Sequence, residues 1–376
     1  MEVLLSIIIP VYNVSEYIVP CLENILGKYE DIVEIILVDD GSTDQSGTII
    51  DQYEKNYKNV RAYHKVNGGL SDARNYGFLR AKGNYVFFYD SDDFVTESFL
   101  ETVVNLLNTD TVDALLWDAD IYDESGQLLK IDSSYYHHRG LEEQLIYTGS
   151  ELIEEQLDDH NDYVTTVWSG LYSRELLIHN NLWFEKDLLH EDEMWTQKVL
   201  LACNRVRYIK SPFYCYRRRQ NSIMNPTGKN YSKNIEALIY IFSYLPLYYD
   251  LKVKDKEFKK KLKGNTTKRF LHMIGKYQLV KYPGLIGYGN AQNGILQYMI
   301  DCGLIGTALF LNNWRSSIRG IKRQGRYVWP LICAMYGFMI CGLVEVCFKL
   351  SFILILALIS SACFMGSFKE DNKSIC

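Results

Sequence analysis

Three features of this sequence predict an α/β fold built on a doubly wound sheet. Short apolar runs rich in β-branched and aromatic residues recur at Leu4–Pro10, Val33–Val38, Val60–His64 and Tyr85–Tyr89. They are too short for helices and apolar throughout, as strands buried on both faces are. Stretches of helical length separate them, the alternation that parallel crossover connections require. Three of these strands end in polar loops, which gathers the loops on one edge of the sheet, where such folds bind ligands.

Leu4–Pro10 opens the sheet, and Val11-Tyr12-Asn13 is the turn that leaves it for a helix from about Ser15 to Lys28. Val33–Val38 ends in Asp39-Asp40-Gly41-Ser42-Thr43-Asp44, before a helix that runs to about Tyr57. After Val60–His64, the turn Asn67-Gly68-Gly69 opens a helix that carries Arg74 and reaches Lys82. Tyr85–Tyr89 then stops abruptly at Asp90-Ser91-Asp92-Asp93. In extended chain, residues i and i+2 share a side, so the carboxylates of Asp90 and Asp92 address one point. Two hard oxygen ligands there suit Mg²⁺ or Mn²⁺ carrying a diphosphate. Taken singly, each motif reads equally as ordinary backbone chemistry: Asp93 as a helix cap, Asp-Gly-Ser and Gly-Gly as turns. As a series they favour a ligand edge, on which Asp40 or Asp39 accepts from a base or ribose. Gly68 and Gly69 then let backbone approach, and Arg74 meets a phosphate.

Asp113–Ile121 reads as a strand, Asp123–Gly126 as a hairpin turn leading on to Ile131, and Val167–Tyr172 as a segment before a helix from Arg174 to Asn180. Glu191 and Asp192 open a further helix that continues to Ala202. Arg217 and Arg219, in Tyr214-Cys-Tyr-Arg-Arg-Arg219, read either as ligands of a diphosphate or anionic acceptor or as a solvated basic turn.

Charge is unevenly spread. The net charge of −6 over 376 residues conceals about 21 Lys and Arg against about 8 Asp and Glu from residue 226 onward. An acidic first part argues against nucleic acid as partner, and a basic tail beside apolar segments argues for an anionic membrane surface. Nine scattered cysteines without a C-x-x-C pair argue for a reduced, cytoplasm-facing protein, and Met1-Glu2-Val3 does not read as a signal peptide. Asp250–Lys281, with Phe258, Leu262, Phe270, Leu271 and Ile274 interleaved among lysines, reads as an amphipathic helix on lipid headgroups, the alternative being a helix packed against the catalytic domain with its basic face solvated. Residues 328–344 and 350–365 read as a spanning hairpin. The segment 295–311 reads as interfacial or re-entrant, because the basic loop 313–327 belongs inside.

Ile7-Ile-Ile-Pro-Val-Tyr-Asn13, Val38-Asp-Asp-Gly-Ser-Thr-Asp44, Asn67-Gly-Gly-Leu-Ser-Asp-Ala-Arg-Asn75 and Asp90-Ser-Asp-Asp93 resemble, in order, the successive motifs of family 2 glycosyltransferases. The resemblance implies the GT-A fold, a doubly wound mixed sheet, over residues 1–225, and a nucleotide-diphosphate-sugar donor. It places Pro10, Tyr12 and Asn13 at the nucleotide pocket, Asp40 with Asp39 near the base, Asp90 towards the ribose, and Asp92 beside Asp90 on a divalent Mn²⁺ or Mg²⁺. It also makes Asp192 the base, with Glu191 second. A dinucleotide-binding domain would want G-x-G-x-x-G where the sequence has Val11-Tyr-Asn-Val-Ser-Glu16. The Q-x-x-R-W of processive members is not found, which favours one sugar per acceptor.

Asn293–Gln297, Asp301–Gly306 and Gly342–Glu345 resemble the carboxyl-terminal portion of the O-antigen ligase and polymerase family, over about 285–367. The expected organisation is a catalytic domain at 1–225, a basic membrane-surface segment at 226–285 and a membrane segment at 286–376. The expected role is addition of one sugar to a lipid-linked oligosaccharide of a surface polysaccharide, at the cytoplasmic face of a membrane. The competing expectations are a catalytically idle sugar-nucleotide scaffold and a nucleotidyltransferase.

Overall fold

The computed structural model describes residues 2–130, 135–219 and 232–276. The first part of the chain runs β1 (Leu5–Val11), α1 (Ile18–Glu23), β2 (Val33–Asp39), α2 (Ser46–Asn56), β3 (Val60–His64), α3 (Leu70–Phe78) and β4 (Tyr85–Phe88). It continues through β5 (Phe94–Val95), α4 (Phe99–Thr109), β6 (Ala114–Tyr122), β7 (Ile146–Tyr147), α5 (Gly149–His160), β8 (Gly170–Ser173) and α6 (Arg174–His179). Then come α7 (Glu191–Leu200), β9 (Val206–Arg217), α8 (Ser232–Lys252) and α9 (Lys256–Lys276).

The strands form one sheet in the order β3-β2-β1-β4-β8-β6-β9-β5, with β7 also on β9. The first four pair in parallel, whereas β8 lies antiparallel to both β4 and β6. The sheet is therefore mixed. After β1 the chain builds outward through β2 and β3, then returns to place β4 on the other side of β1. That reversal opens a crevice beyond the carboxyl ends of β1 and β4, the usual ligand site of such sheets.

Alternation along each strand explains why these runs are apolar without interruption. Ile7, Ile9, Ile35, Leu37, Phe87 and Tyr89 belong to one core, under α1, α2 and α4. Ile8, Ile36, Val38 and Phe88 belong to the other, with Tyr172 and Trp195. Each face is covered, so neither set of side chains can be polar.

Helix α1 is much shorter than the expected Ser15–Lys28. Asn24 follows its last turn and donates from its side chain to Val95 O at 2.7 Å, and Gly27 turns the chain with φ of 68°. The hairpin turn expected at Asp123–Gly126 is present: Gly126 turns with φ of 83°, Asp123 N donates to Gln127 O and Leu129 N to Ile121 O, each at 2.8 Å, and Tyr122 bridges Leu128, while Ile131 lies outside the described residues.

One compact unit covers residues 1–271, so α8 and most of α9 belong with the sheet and the domain does not close near 225. Phe258 and Leu262 of α9, expected to meet lipid, are buried against protein together with Ile241, Leu245 and Tyr249 of α8. Each apolar side chain so buried contributes roughly 2 kcal/mol. Three of the α9 lysines are answered by protein acids: Lys261 Nζ lies 2.8 Å from Glu154 Oε1 and 2.7 Å from Asp158 Oδ1 of α5, and Lys259 and Lys263 pair with Asp250 of α8. Protein acids thus take the place expected for headgroups. No helix among the described residues is long and apolar enough to cross a membrane. The segments 295–311, 328–344 and 350–365, and the polymerase-like stretch, lie outside the described residues.

Gly77 lets α3 lie close on the sheet, because a Cβ there would sit 2.4 Å from Ile8 Cγ2 and 3.3 Å from Val38 Cγ2. Alanine favours a helix over glycine by about 1 kcal/mol, but overpacking a stiff buried isoleucine costs about 1–3 kcal/mol. Gly77→Ala is expected to destabilise the domain, read as a lower urea midpoint with unchanged slope.

Candidate active site

The turns beyond β1 and β2 are stitched to each other. Asn13, with φ of 52°, donates its backbone N–H to Ser42 Oγ at 3.1 Å, and its Oδ1 accepts from Thr43 N at 2.8 Å. Tyr12 beside it is half exposed, whereas Pro10 is buried in β1. Asp39 is held by Ser42 N at 2.9 Å and by His64 Nδ1 at 2.9 Å. Asp40 spends both oxygens on the glycine turn: Oδ1 accepts from Lys65 Nζ at 2.5 Å and Gly68 N at 2.9 Å, and Oδ2 from Gly69 N at 2.8 Å. A Cβ at Gly68 would meet Asp72 Oδ2 at 2.4 Å and Lys65 Nζ at 2.9 Å, so a larger residue must displace that ion pair, while Gly69 has φ of 83°. The expected donor residues of three separate loops therefore share one network, in which Asp40 shapes the turn it was expected to serve alongside.

Arg74 has a different place from the expected phosphate contact. Its side chain is 3% exposed, and Nη2 donates to Asp90 Oδ1 at 2.7 Å while Nη1 donates to Glu191 Oε1 at 2.5 Å. The guanidinium also lies 5.3 Å from the centroid of the Phe184 ring. One arginine thus joins the acidic loop after β4 to Glu191 at the start of α7, 117 residues beyond the arginine in sequence.

Asp90 and Asp92 each give one carboxylate oxygen to an arginine, Asp90 to Arg74 and Asp92 Oδ2 to Arg219 Nε at 2.6 Å. Each leaves its other oxygen without a partner side chain among the described residues. Burial, with Asp90 adding, pushes the Asp92 carboxyl above its ordinary value against the pull of Arg219. Among the described residues no three His, Cys, Asp or Glu side chains gather as a metal cage. A Mg²⁺ or Mn²⁺ that arrives with a diphosphate needs only one or two carboxylates, and would relieve the charge that raises Asp92. These residues fit such an ion.

Three acids, Glu191, Asp192 and Glu193, fill the first turn of α7, where the helix dipole favours them. Glu191 is tied to Arg74, and Glu193 Oε2 lies 2.5 Å from Arg269 Nη1 of α9. Asp192 stands between them with a hydrogen bond from Glu193 N at 2.9 Å and, among the described residues, no guanidinium of its own. Burial first, then Glu191 and Glu193, raise the Asp192 carboxyl well above its ordinary value, and burial raises Glu191 in the same sense against Arg74.

Asp93 carries a role that its reading as a cap did not anticipate. It is buried, and accepts from Tyr214 OH at 2.6 Å and from Arg217 N at 2.7 Å. It therefore pins the end of β9 to the acidic loop. Arg217 then donates from Nε to Asp92 O at 3.1 Å and lies over the Phe94 ring, with Arg219 over Tyr17. The third carboxylate in an Asp-Ser-Asp-Asp run was the available signal.

The family model for glycosyl transferase family 2 matches residues 6–179. A curated relative, glycosyltransferase GlyG of Streptococcus pneumoniae, is 34% identical over 233 residues, which cover 60% of this chain and 74% of the relative. The chain is a family 2 glycosyltransferase. This glycosyltransferase is also 33% identical over 222 residues to EpsJ of Bacillus subtilis, named an uncharacterised glycosyltransferase, covering 58% of this chain and 62% of that one. Its fold resembles residues 1–349 of S. aureus TarS, solved with UDP-GlcNAc, at a TM-score of 0.55 and 22% identity over 70% of this chain and 71% of TarS. The family match ends short of the polymerase-like stretch.

Asp93→Ala removes the acceptor of the buried Tyr214 hydroxyl and of the partly buried Arg217 N–H, and leaving such groups unsatisfied costs about 1–3 kcal/mol. The expected outcome is a stability loss of that size by urea unfolding, with weaker nucleotide binding because Arg217 and Arg219 lose their anchor.

Proposed function

We propose that this glycosyltransferase moves one sugar, with inversion at the anomeric carbon, from a nucleotide-diphosphate-sugar to a saccharide hydroxyl. The observation that carries the reading is the Arg74 bridge, which brings the Asp90-Ser-Asp92 loop and the Glu191-Asp192 pair into one site. Pro10, Tyr12, Asn13, Asp39 and Asp40 frame the nucleotide, and Asp90 serves the ribose. Asp92 with Asp90 holds Mn²⁺ or Mg²⁺, and that cation when bound supplies neutralisation of the leaving diphosphate. Arg217 and Arg219, beside Asp92, serve the same group.

Asp192 is the base. Its carboxylate takes the proton of the acceptor hydroxyl as that oxygen bonds to the anomeric carbon, while the bond on the opposite side breaks and its electron pair leaves with the nucleoside diphosphate. A carboxyl raised by burial suits a base that must accept a proton near neutral pH. Glu191 is committed to Arg74, which makes Asp192 the better placed of the two.

The acceptor we infer is a lipid-linked saccharide of a surface polysaccharide, reached at the cytoplasmic face of a membrane. The basic excess after residue 226 and the apolar runs at 328–344 and 350–365 support it. The S. aureus TarS structure with UDP-GlcNAc supports a nucleotide-sugar donor.

Purified protein in detergent, given UDP-glucose, UDP-galactose, UDP-N-acetylglucosamine or GDP-mannose with Mn²⁺, is expected to release a nucleoside diphosphate slowly from one donor, and EDTA to stop it. Pyrophosphate release would indicate a nucleotidyltransferase. Asp192→Asn is expected to lower turnover about 10³-fold. In the parent protein the acid limb of kcat/KM is expected above the ordinary carboxylate range. A carboxyl raised on folding contributes stability below its unfolded value, near 3.8, and loses it as pH rises through the folded value. Asp192→Asn is therefore expected to raise Tm at pH 7 while turnover is lost, and a retained turnover would remove Asp192 from this role.

A further inference from the structure

Each flanking acid of the Glu191-Asp192-Glu193 turn has its own buried guanidinium. Arg74 on α3 takes Glu191, and Arg269 on α9, with a side chain 12% exposed, takes Glu193. The middle acid has none among the described residues. Arg269 is itself fixed on every side: Nε donates to Asp162 Oδ1 at 2.7 Å, Nη1 to Thr165 Oγ1 at 3.0 Å, and Nη2 to Tyr163 O. Its guanidinium lies 5.0 Å from the centre of the Tyr163 ring. A second tie joins the same elements, since Gln197 Oε1 of α7 accepts from Tyr163 OH at 2.5 Å and from Tyr249 OH of α8, and Tyr249 OH lies 3.1 Å from Thr266 Oγ1 of α9.

We propose that Arg269 is a positioning residue: by holding and neutralising Glu193 it fixes the first turn of α7 and leaves Asp192 as the acid of that turn without a salt-bridge partner. The proposal rests on Asp192 acting as the base. Three adjacent carboxylates without compensation would repel one another and fray the helix start, while a guanidinium on Asp192 itself would quench its basicity. Bracketing the two neighbours avoids both. The charged and titratable groups facing Asp192 are Glu191 and Glu193 on its own helix, Arg74 from α3, Tyr136 before α5, and Arg269 across Glu193 from α9. His190, which precedes the turn, is held by Asn234 of α8 at 3.1 Å. The helices after residue 231 thereby enter the chemistry of the site.

The test is the pH dependence of donor hydrolysis in Arg269→Gln, Glu193→Gln and the double variant, with Tm and the affinity for UDP and Mn²⁺ measured on each. Arg269→Gln leaves Glu193 as a bare neighbouring charge. It is expected to move the acid limb up by about one pH unit and to lower kcat about 10-fold, with UDP affinity unchanged. Glu193→Gln is expected to move the limb down, and the double variant to bring it back near the parent. A limb that stays in place in Arg269→Gln while Tm falls would overturn the proposal and leave a structural staple. If Arg269→Gln does not fold, Glu193→Gln alone decides, since an unmoved limb there overturns it equally. Asp192→Asn run alongside separates the two claims: turnover retained in that variant defeats the base assignment, whereas turnover lost with an unmoved limb in Arg269→Gln defeats this inference alone.

Discussion

The site depends on one buried cation. Arg74 reaches two carboxylates on elements that the sheet alone would not bring together, the loop after β4 and the first turn of α7. Removing a charge from water is tolerable only where partners satisfy it, and the same holds in reverse for Asp90 and Glu191. The three groups therefore fix one another's positions. Gly77, one turn further along α3, allows the helix to lie close enough to β1 and β2 for the reach to close.

Around that bridge the structure sorts acids by task. Asp39, Asp40 and Asp93 accept backbone and hydroxyl donors and hold loops in place. Glu191 and Glu193 are held by arginines, and Asp90 and Asp92 each retain an oxygen for a ligand. Burial and like charge push up both Asp93 and Asp192, but Asp93 is committed to Tyr214 and Arg217, whereas among the described residues Asp192 has no salt bridge of its own. A site assembled this way stores unfavourable electrostatics in the group proposed to react and places favourable contacts on its neighbours.

Much of this was legible in sequence, for identifiable reasons. The strands were, because burial on both faces removes polar residues from Leu5–Val11 and Val33–Asp39 alike. The gathering of acids and glycines on one sheet edge was, because parallel strands in succession end on the same side. Arg74 was placed on the right helix, but its ties to Asp90 and Glu191 were not anticipated. Nothing local to residue 74 points to residue 191, so its reach across the site carried no signal. The reading of α9 failed differently. Lysines beside Phe258 and Leu262 suit anionic lipid, but they suit an acidic helix equally. Glu154, Asp158 and Asp162 recur every fourth residue along and just beyond α5, and Lys261 and Arg269 pair with them. The capping box formed by Thr148 and Glu151 marked the start of that helix, so the complement was present in the sequence, about 100 residues earlier.

The central claim is that Arg74 couples the donor loop to the acidic turn of α7, and the most direct measurement is calorimetric binding of UDP with Mn²⁺ to Arg74→Gln beside its steady-state turnover. The account predicts that both fall together, because Asp90 and Glu191 lose a common partner and neither half of the site keeps its geometry. Binding and turnover that stay at parent levels while only Tm drops would contradict it, and would reduce Arg74 to a brace for the fold.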